Sequence, residues 1–139
     1  MRLYLTIPLI LMLVHTASAD TTNRAKQFSP VPGIFVGGVG LRCKSDSPNI
    51  VEFLLLTKDR QKVGLAVFEN DDVTYDFLAI TKTTPRSYIV KQENIEFVLD
   101  RQSLKLRMEQ DYHCSVTSIS NLHSAAKDFL RTLLSENKI

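Results

Sequence analysis

The chain has 139 residues, of which 44% are hydrophobic and 23% charged, and its 17 Lys and Arg against 15 Asp and Glu give a net charge of +2. This length predicts one domain with one modest core and excludes two. Acidic and basic residues are interspersed, and no basic cluster able to follow a phosphate backbone occurs, so nucleic acid is not expected as a partner.

Residues 1–19 predict a secretory signal peptide. The apolar run from Leu3 to Val14 is too short for a comfortable membrane span of about 20 residues. Ala17-Ser18-Ala19 is typical of a signal-peptidase site, which places cleavage between Ala19 and Asp20. We therefore expect an exported protein, periplasmic or secreted, with no stable membrane span after cleavage. An uncleaved anchor is the alternative interpretation.

Residues 20–40 predict a flexible, Gly/Pro-rich N-terminal arm, followed by a single β domain with a C-terminal helix over residues 41–139. Residues 33–40 contain four of the five glycines of the chain. A glycine-rich loop binds phosphate when a helix begins directly after it. Here the strand-like sequence LRCKS follows, which favours a bulge, a turn or a flexible lead into the first strand.

About eight short strands separated by polar turns predict a mainly β fold, either an antiparallel meander or a small barrel. The predicted strands are residues 41–44, 50–57, 62–68, 73–82, 87–91, 95–100, 104–108 and 112–116.

The spacing of apolar residues changes to three and four after Val116, which predicts one C-terminal amphipathic helix. Ser118 or Ser120 is the expected N-cap. Packing of the helix on the sheet is favoured over a membrane-surface or partner-binding role, because the polar face is not rich in Lys or Arg and no Trp is present. The apolar stripe consists of Leu122, Ala125, Ala126, Phe129, Leu130, Leu133 and Leu134.

The two cysteines, Cys43 and Cys114, predict one disulfide in an exported chain. Since they lie in the first and last predicted strands, the bond would join the strands that meet when the sheet closes and would remove its exposed edges. Two free thiols or intermolecular pairing are the alternatives.

No catalytic, cofactor-binding or metal site is expected from the sequence. His113 neighbours Cys114, but a zinc site needs three or four ligands and would consume nearly every Cys and His after residue 19. A serine–histidine–aspartate triad is left open by spacing, although no serine has the glycine pattern of a nucleophile elbow.

The acidic turns have structural interpretations. Asp71 and Asp72 with Glu69 lack the ligand spacing of a calcium loop, so a solvated hairpin turn is expected. Asp100, before Arg101, is expected to accept hydrogen bonds from nearby backbone amides.

Residues 95–106 (IEFVLDRQSLKL), with the pattern D-R-x-S-L-x-L and Cys114 eight residues later, resemble the closing strands of small exported bacterial β-proteins without an assigned activity. The size, signal peptide and cysteines are also similar to those of the small periplasmic lysozyme-inhibitor barrels. The Ser-Gly-x-x-Tyr loop of that group is missing, so inhibition of lysozyme is not implied.

The sequence thus predicts an exported, non-enzymatic β-domain protein, periplasmic in the first instance, that binds an unidentified protein or small ligand. A secreted effector or hydrolase inhibitor is the alternative, and a small secreted enzyme is the third. A local binding site is expected in residues 33–40 or in the loops 45–49 and 69–72.

Overall fold

The computed structural model describes residues 28–46 and 50–136. The predicted signal peptide, its cleavage site at Ala19 and Asp20, and residues 20–27 of the predicted arm lie outside these residues. After a 3-10 turn at Gly33–Phe35, the elements are β1 (Val39–Ser45), β2 (Val51–Leu56), β3 (Lys62–Glu69), β4 (Asp72–Ala79), β5 (Lys82–Thr83), β6 (Ser87–Gln92), β7 (Ile95–Asp100), β8 (Lys105–Arg107), β9 (Asp111–Thr117) and α1 (Ile119–Glu136).

The predicted mainly β fold is confirmed. The nine strands of the described residues form one antiparallel sheet in the order β4-β3-β2-β1-β9-β8-β7-β6-β5, curled into a half-barrel. The predicted strand 73–82 is divided into β4 and β5, because the backbone at Ile80 and Thr81 leaves the strand path. There the Ile80 amide bonds to the Gln61 carbonyl at 2.8 Å and the Thr81 amide to the Ile89 carbonyl at 2.8 Å.

The first and last strands pair as predicted, with Cys43 directly opposite Cys114 in the β1–β9 register. The sheet edges differ from the expectation, since they are β4 and β5 and not β1 and β9. The disulfide therefore ties two interior strands, where the meander β1–β4 meets the meander β5–β9.

The concave face of the sheet holds one hydrophobic core, to which both meanders contribute. Residues of β2 alternate between the two faces: Leu54 and Leu56 point into the concave core, whereas Phe53 and Leu55 point to the convex face. Burial on both sides explains why β2 is the most apolar strand. The fully or largely buried residues of this core are Leu41, Cys43, Leu54, Leu56, Val63, Leu78, Val90, Phe97, Leu99, Leu106 and Tyr112.

The convex face is covered by α1, which confirms the predicted packing helix. Ser118 is the N-cap residue, because its hydroxyl accepts a hydrogen bond from the Asn121 amide at 3.1 Å. Leu122, Ala126 and Leu130 are buried against the sheet. A Cβ at Gly40 would stand 2.4 Å from the Leu122 Cβ, so the absent side chain at this position lets α1 approach β1 closely.

The predicted flexible arm differs from the structure between residues 28 and 40. Phe35 is fully buried in the convex core, Phe28 and Val31 pack beside it, and β1 already begins at Val39. Phe35 and the partly buried Phe28 and Val31 belong to the same cluster as the buried residues of α1, whereas Ile34 and Val36 are exposed. The segment is thus part of the domain from Phe28 onward.

Candidate functional site

The predicted disulfide between Cys43 and Cys114 is present, with its sulfur atoms 2.02 Å apart. It lies on the concave side of the sheet, within the core. His113 points away from the core and is exposed, with its Nε2 atom 3.8 Å from the Asp46 carboxylate. His113 and the cysteines therefore form no common reactive group.

The Asp100 carboxylate has the predicted turn-capping role. Its Oδ1 atom accepts hydrogen bonds from the Gln102 and Ser103 amides at 2.9 and 2.8 Å, and Oδ2 accepts one from Nε of Arg86 at 3.0 Å. These bonds, first that from Ser103, hold the pKa of Asp100 far below its ordinary value.

The Asp72 carboxylate differs from the expected solvated turn. Its Oδ1 atom accepts a hydrogen bond from the Ser29 amide at 3.0 Å, and its Oδ2 atom accepts one from the Ser29 hydroxyl at 2.5 Å. A pair 43 positions apart in sequence thus fixes the N-terminal segment to β4, which a reading of local turn patterns could not find.

Ser29, Asp72 and His123 lie together, but their bonding is not that of a catalytic triad. The Ser29 hydroxyl donates to Asp72, while Nε2–H of His123 donates to the Ser29 carbonyl at 3.0 Å. The Tyr75 hydroxyl donates to Nδ1 of His123 at 2.8 Å. Both ring nitrogens are engaged, so neither is free to take a proton from the Ser29 hydroxyl. Burial lowers the pKa of His123 and raises that of Tyr75, and so favours the neutral form of both side chains.

The strongest candidate site is a cavity of about 230 Å³ at one end of the concave face, called here the arginine cavity. Two guanidinium groups, those of Arg60 and Arg101, meet an otherwise almost wholly apolar lining. Both meanders contribute to the walls, so the cavity exists only in the folded sheet. The lining residues are Val39, Leu41, Leu56, Arg60, Tyr88, Leu99, Arg101, Leu104 and Val116.

Arg60 is fixed by the β2–β3 turn. Thr57 is buried, its hydroxyl oxygen accepts a hydrogen bond from the Lys62 amide at 3.1 Å, and its carbonyl accepts one from the Arg60 amide at 2.9 Å. The Arg60 backbone has a φ of 59°, a left-handed conformation uncommon outside glycine. Nη1 of its guanidinium donates to the Thr57 carbonyl at 2.8 Å, which holds the side chain at the cavity.

Arg101 is fixed by the β7–β8 turn. Its amide donates to the Arg86 carbonyl at 2.7 Å, and Nη1 of its guanidinium donates to the Thr84 carbonyl at 2.8 Å. The guanidinium carbon lies 4.6 Å from the centre of the Tyr88 ring, within cation–π distance. Leu104 follows with a φ of 61°, so a second lining residue is also held in the left-handed region.

Neither guanidinium of the cavity forms an ion pair within the described residues, where Asp100 is paired with Arg86 instead. The remaining N–H groups of Arg60 and Arg101 are available to an anion, since Nη1 alone of each side chain donates to a backbone carbonyl. The arrangement is therefore a preorganised positive rim above an apolar floor.

The opposite end of the concave face has the opposite charge. A cleft of about 520 Å³ there is lined by three glutamates, Glu52, Glu96 and Glu109, by Asn94 and by apolar or aromatic residues. Glu52 is half-buried on the concave side, and burial raises the pKa of its carboxyl. The two ends therefore differ in the sign of the ligand charge that each would favour.

The glycine-rich segment, predicted as a possible binding site, exposes the apolar side chains of Ile34 and Val36, and Phe77 of β4 is exposed as well. The exposed fractions are 46% for Ile34, 77% for Val36 and 49% for Phe77. The rings of Phe77 and the buried Phe35 are in edge-to-face contact with centres 5.6 Å apart. Of the other predicted positions, residues 47–49 lie outside the described part of the chain.

No group of three or more His, Cys, Asp and Glu side chains within residues 28–46 and 50–136 is placed to hold a metal ion. In the same residues, no helix is both long and apolar enough to cross a membrane. No protein-family model matches the chain, and neither a curated protein nor a solved structure matches it.

The sequence does not predict a site at Arg60 or Arg101. Arg60 lies in a polar turn between two predicted strands, and Arg101 directly follows Asp100 in another turn. In the sequence, each arginine is seen only to lie in a turn beside an alternating strand. This position does not show that two turns 41 residues apart line the same cavity.

Proposed function

We propose that this protein is an exported, non-enzymatic binding domain that takes the apolar part of a small molecule into the arginine cavity. The observation that carries the proposal is the cavity itself, an apolar recess with two convergent polar groups at the end of a curled sheet. Ligand sites have this composition and are common at the mouths of β-barrels.

Two features support export. The disulfide joins Cys43 and Cys114, and disulfides persist in oxidising compartments. Residues 1–19 have the composition of a signal peptide. Fractionation of cells with thiol trapping tests this part: we expect oxidised protein that begins at Asp20, in the osmotic-shock fraction for a periplasmic protein. Reduced protein in the cytoplasmic fraction would contradict it.

Binding is tested with a neutral probe, 1-octanol, titrated into the protein that begins at Asp20 by isothermal calorimetry. Val116 is 54% exposed at the rim of the cavity, so Val116→Phe should fill the mouth without disturbing the core. Val36→Phe is the matched control, because Val36 is exposed and lies outside the cavity. We expect binding to the parent and to the control and loss of binding in Val116→Phe. Equal binding to all three proteins would show that 1-octanol does not bind in the arginine cavity and would contradict the proposal.

A second candidate is binding of a protein partner, as a secreted effector or hydrolase inhibitor would require. The exposed apolar side chains of Ile34, Val36 and Phe77 favour it, because aromatic and aliphatic residues anchor protein interfaces. Capture of a partner from the extracytoplasmic extract by the parent but not by Val36→Asp would support this function. Capture by both proteins would exclude Val36 from the contact surface and contradict this function.

A further inference from the structure

We infer that the ligand of the arginine cavity is a small amphipathic anion, a carboxylate joined to a short apolar group. This inference rests on the proposed binding function and adds the chemical class of the ligand. Its starting point is the pair of guanidinium groups at the rim of an apolar recess.

The charge of the ligand follows from the two arginines. Arg60 and Arg101 bring two permanent positive charges to one small cavity, and no carboxylate of the described residues pairs with either. A guanidinium is weakly hydrated and matches a carboxylate with two parallel hydrogen bonds. A neutral ligand would leave the two guanidinium charges without a counter-charge, and a cationic ligand would be repelled by them.

The geometry is fixed before a ligand arrives. Each guanidinium donates through Nη1 to a backbone carbonyl at 2.8 Å, that of Thr57 for Arg60 and that of Thr84 for Arg101. Arg60 and Leu104, two of the lining residues, have left-handed backbone conformations with φ of 59° and 61°, and the hydrogen bonds of their turns sustain them. A held side chain loses less conformational entropy on binding than a free one.

The size of the cavity limits the apolar group. About 230 Å³ lies below the range of roughly 300–1,000 Å³ that is common for sites of drug-sized ligands. The floor consists of Leu41, Leu56 and Leu99, all buried. A short acyl chain or a single aromatic ring therefore fits, with the carboxylate left at the rim between the arginines.

The decisive experiment compares three probes with the same eight-carbon chain: octanoate, 1-octanol and octylamine, each titrated calorimetrically at low salt. We expect octanoate to bind roughly tenfold more tightly than 1-octanol, as one or two charge-assisted hydrogen bonds would give. Octylamine should bind more weakly than either. Added salt should reduce the advantage of octanoate.

The variants Arg60→Gln and Arg101→Gln should each remove most of the advantage of octanoate and leave the affinity for 1-octanol unchanged. Arg42→Gln is the matched control, since it removes one positive charge from an exposed position outside the cavity. Thermal unfolding checks that each variant is folded. If Arg60→Gln destabilises its turn, Arg101→Gln and the salt series still decide the question.

The outcomes separate the two proposals. Equal affinity for octanoate and 1-octanol would overturn the anion inference and leave the binding function intact. Preference for octylamine would also overturn it. No binding of any probe would overturn the proposed function together with the inference.

Discussion

The contact between Phe35 and Gly64 can be tested by mutation, and the result shows whether the glycine-rich segment packs in the core of the domain. Phe35 is fully buried, and its Cζ atom would lie 2.6 Å from a Cβ built on Gly64. Carbon atoms prefer separations of about 3.5–4.0 Å, so alanine at position 64 must displace the ring.

The expected magnitudes follow from this contact. Phe35→Ala should lower the free energy of unfolding by about 3–5 kcal/mol through lost burial and a residual cavity. Gly64→Ala should lower it by about 1–3 kcal/mol through overpacking. In the double variant the methyl group enters the space that the ring has left, so the loss should be smaller than the sum by roughly 1–3 kcal/mol.

Urea unfolding of the four proteins measures this coupling. Gly33→Ala is the matched control, since nothing lies within 4 Å of a Cβ at that position, and we expect little change in its unfolding free energy. Additive effects of the two substitutions would refute the contact. A loss below about 1 kcal/mol for Phe35→Ala would show that the segment is not part of the core.

Three further perturbations have defined outcomes. Replacement of Cys43 and Cys114 by alanine should cost about 4 kcal/mol of unfolding free energy, since the bond closes a separation of 71 residues; a loss below about 1 kcal/mol would contradict the chain-entropy argument. Because burial lowers the pKa of His123 below its ordinary 6.5, the unfolded chain binds more protons than the folded chain as pH falls. The contribution of His123 to the free energy of unfolding is thus complete above pH 6.5 and is lost as pH falls through the pKa of His123 in the folded chain. Chemical unfolding at several pH values should show this loss of stability in the parent and not in His123→Gln. Asp72→Ala should speed hydrogen exchange at the Ser29 amide, which donates to it, and leave exchange in β6–β8 unchanged; slow exchange at Ser29 in this variant would argue against the bond.

The sequence by itself determined the fold class and most element positions. Alternation in the strands and the three- and four-residue spacing after Val116 are local consequences of burying one face, so they predicted eight strands and α1. The two cysteines allowed one intramolecular pair, and Ser118 occupies the predicted cap. The role of Asp100 was also local, because its amide donors lie two and three residues away.

Only the tertiary structure decided the edges of the sheet, the role of the glycine-rich segment and the candidate site. The half-barrel opens at β4 and β5 because the backbone turns at Ile80 and Thr81, which no periodicity marks. Phe35 is a core residue because Gly64, distant in sequence, leaves room for its ring. Arg60 and Arg101 share a cavity because the two meanders curl toward each other, and a convergence across a sheet is absent from any local pattern.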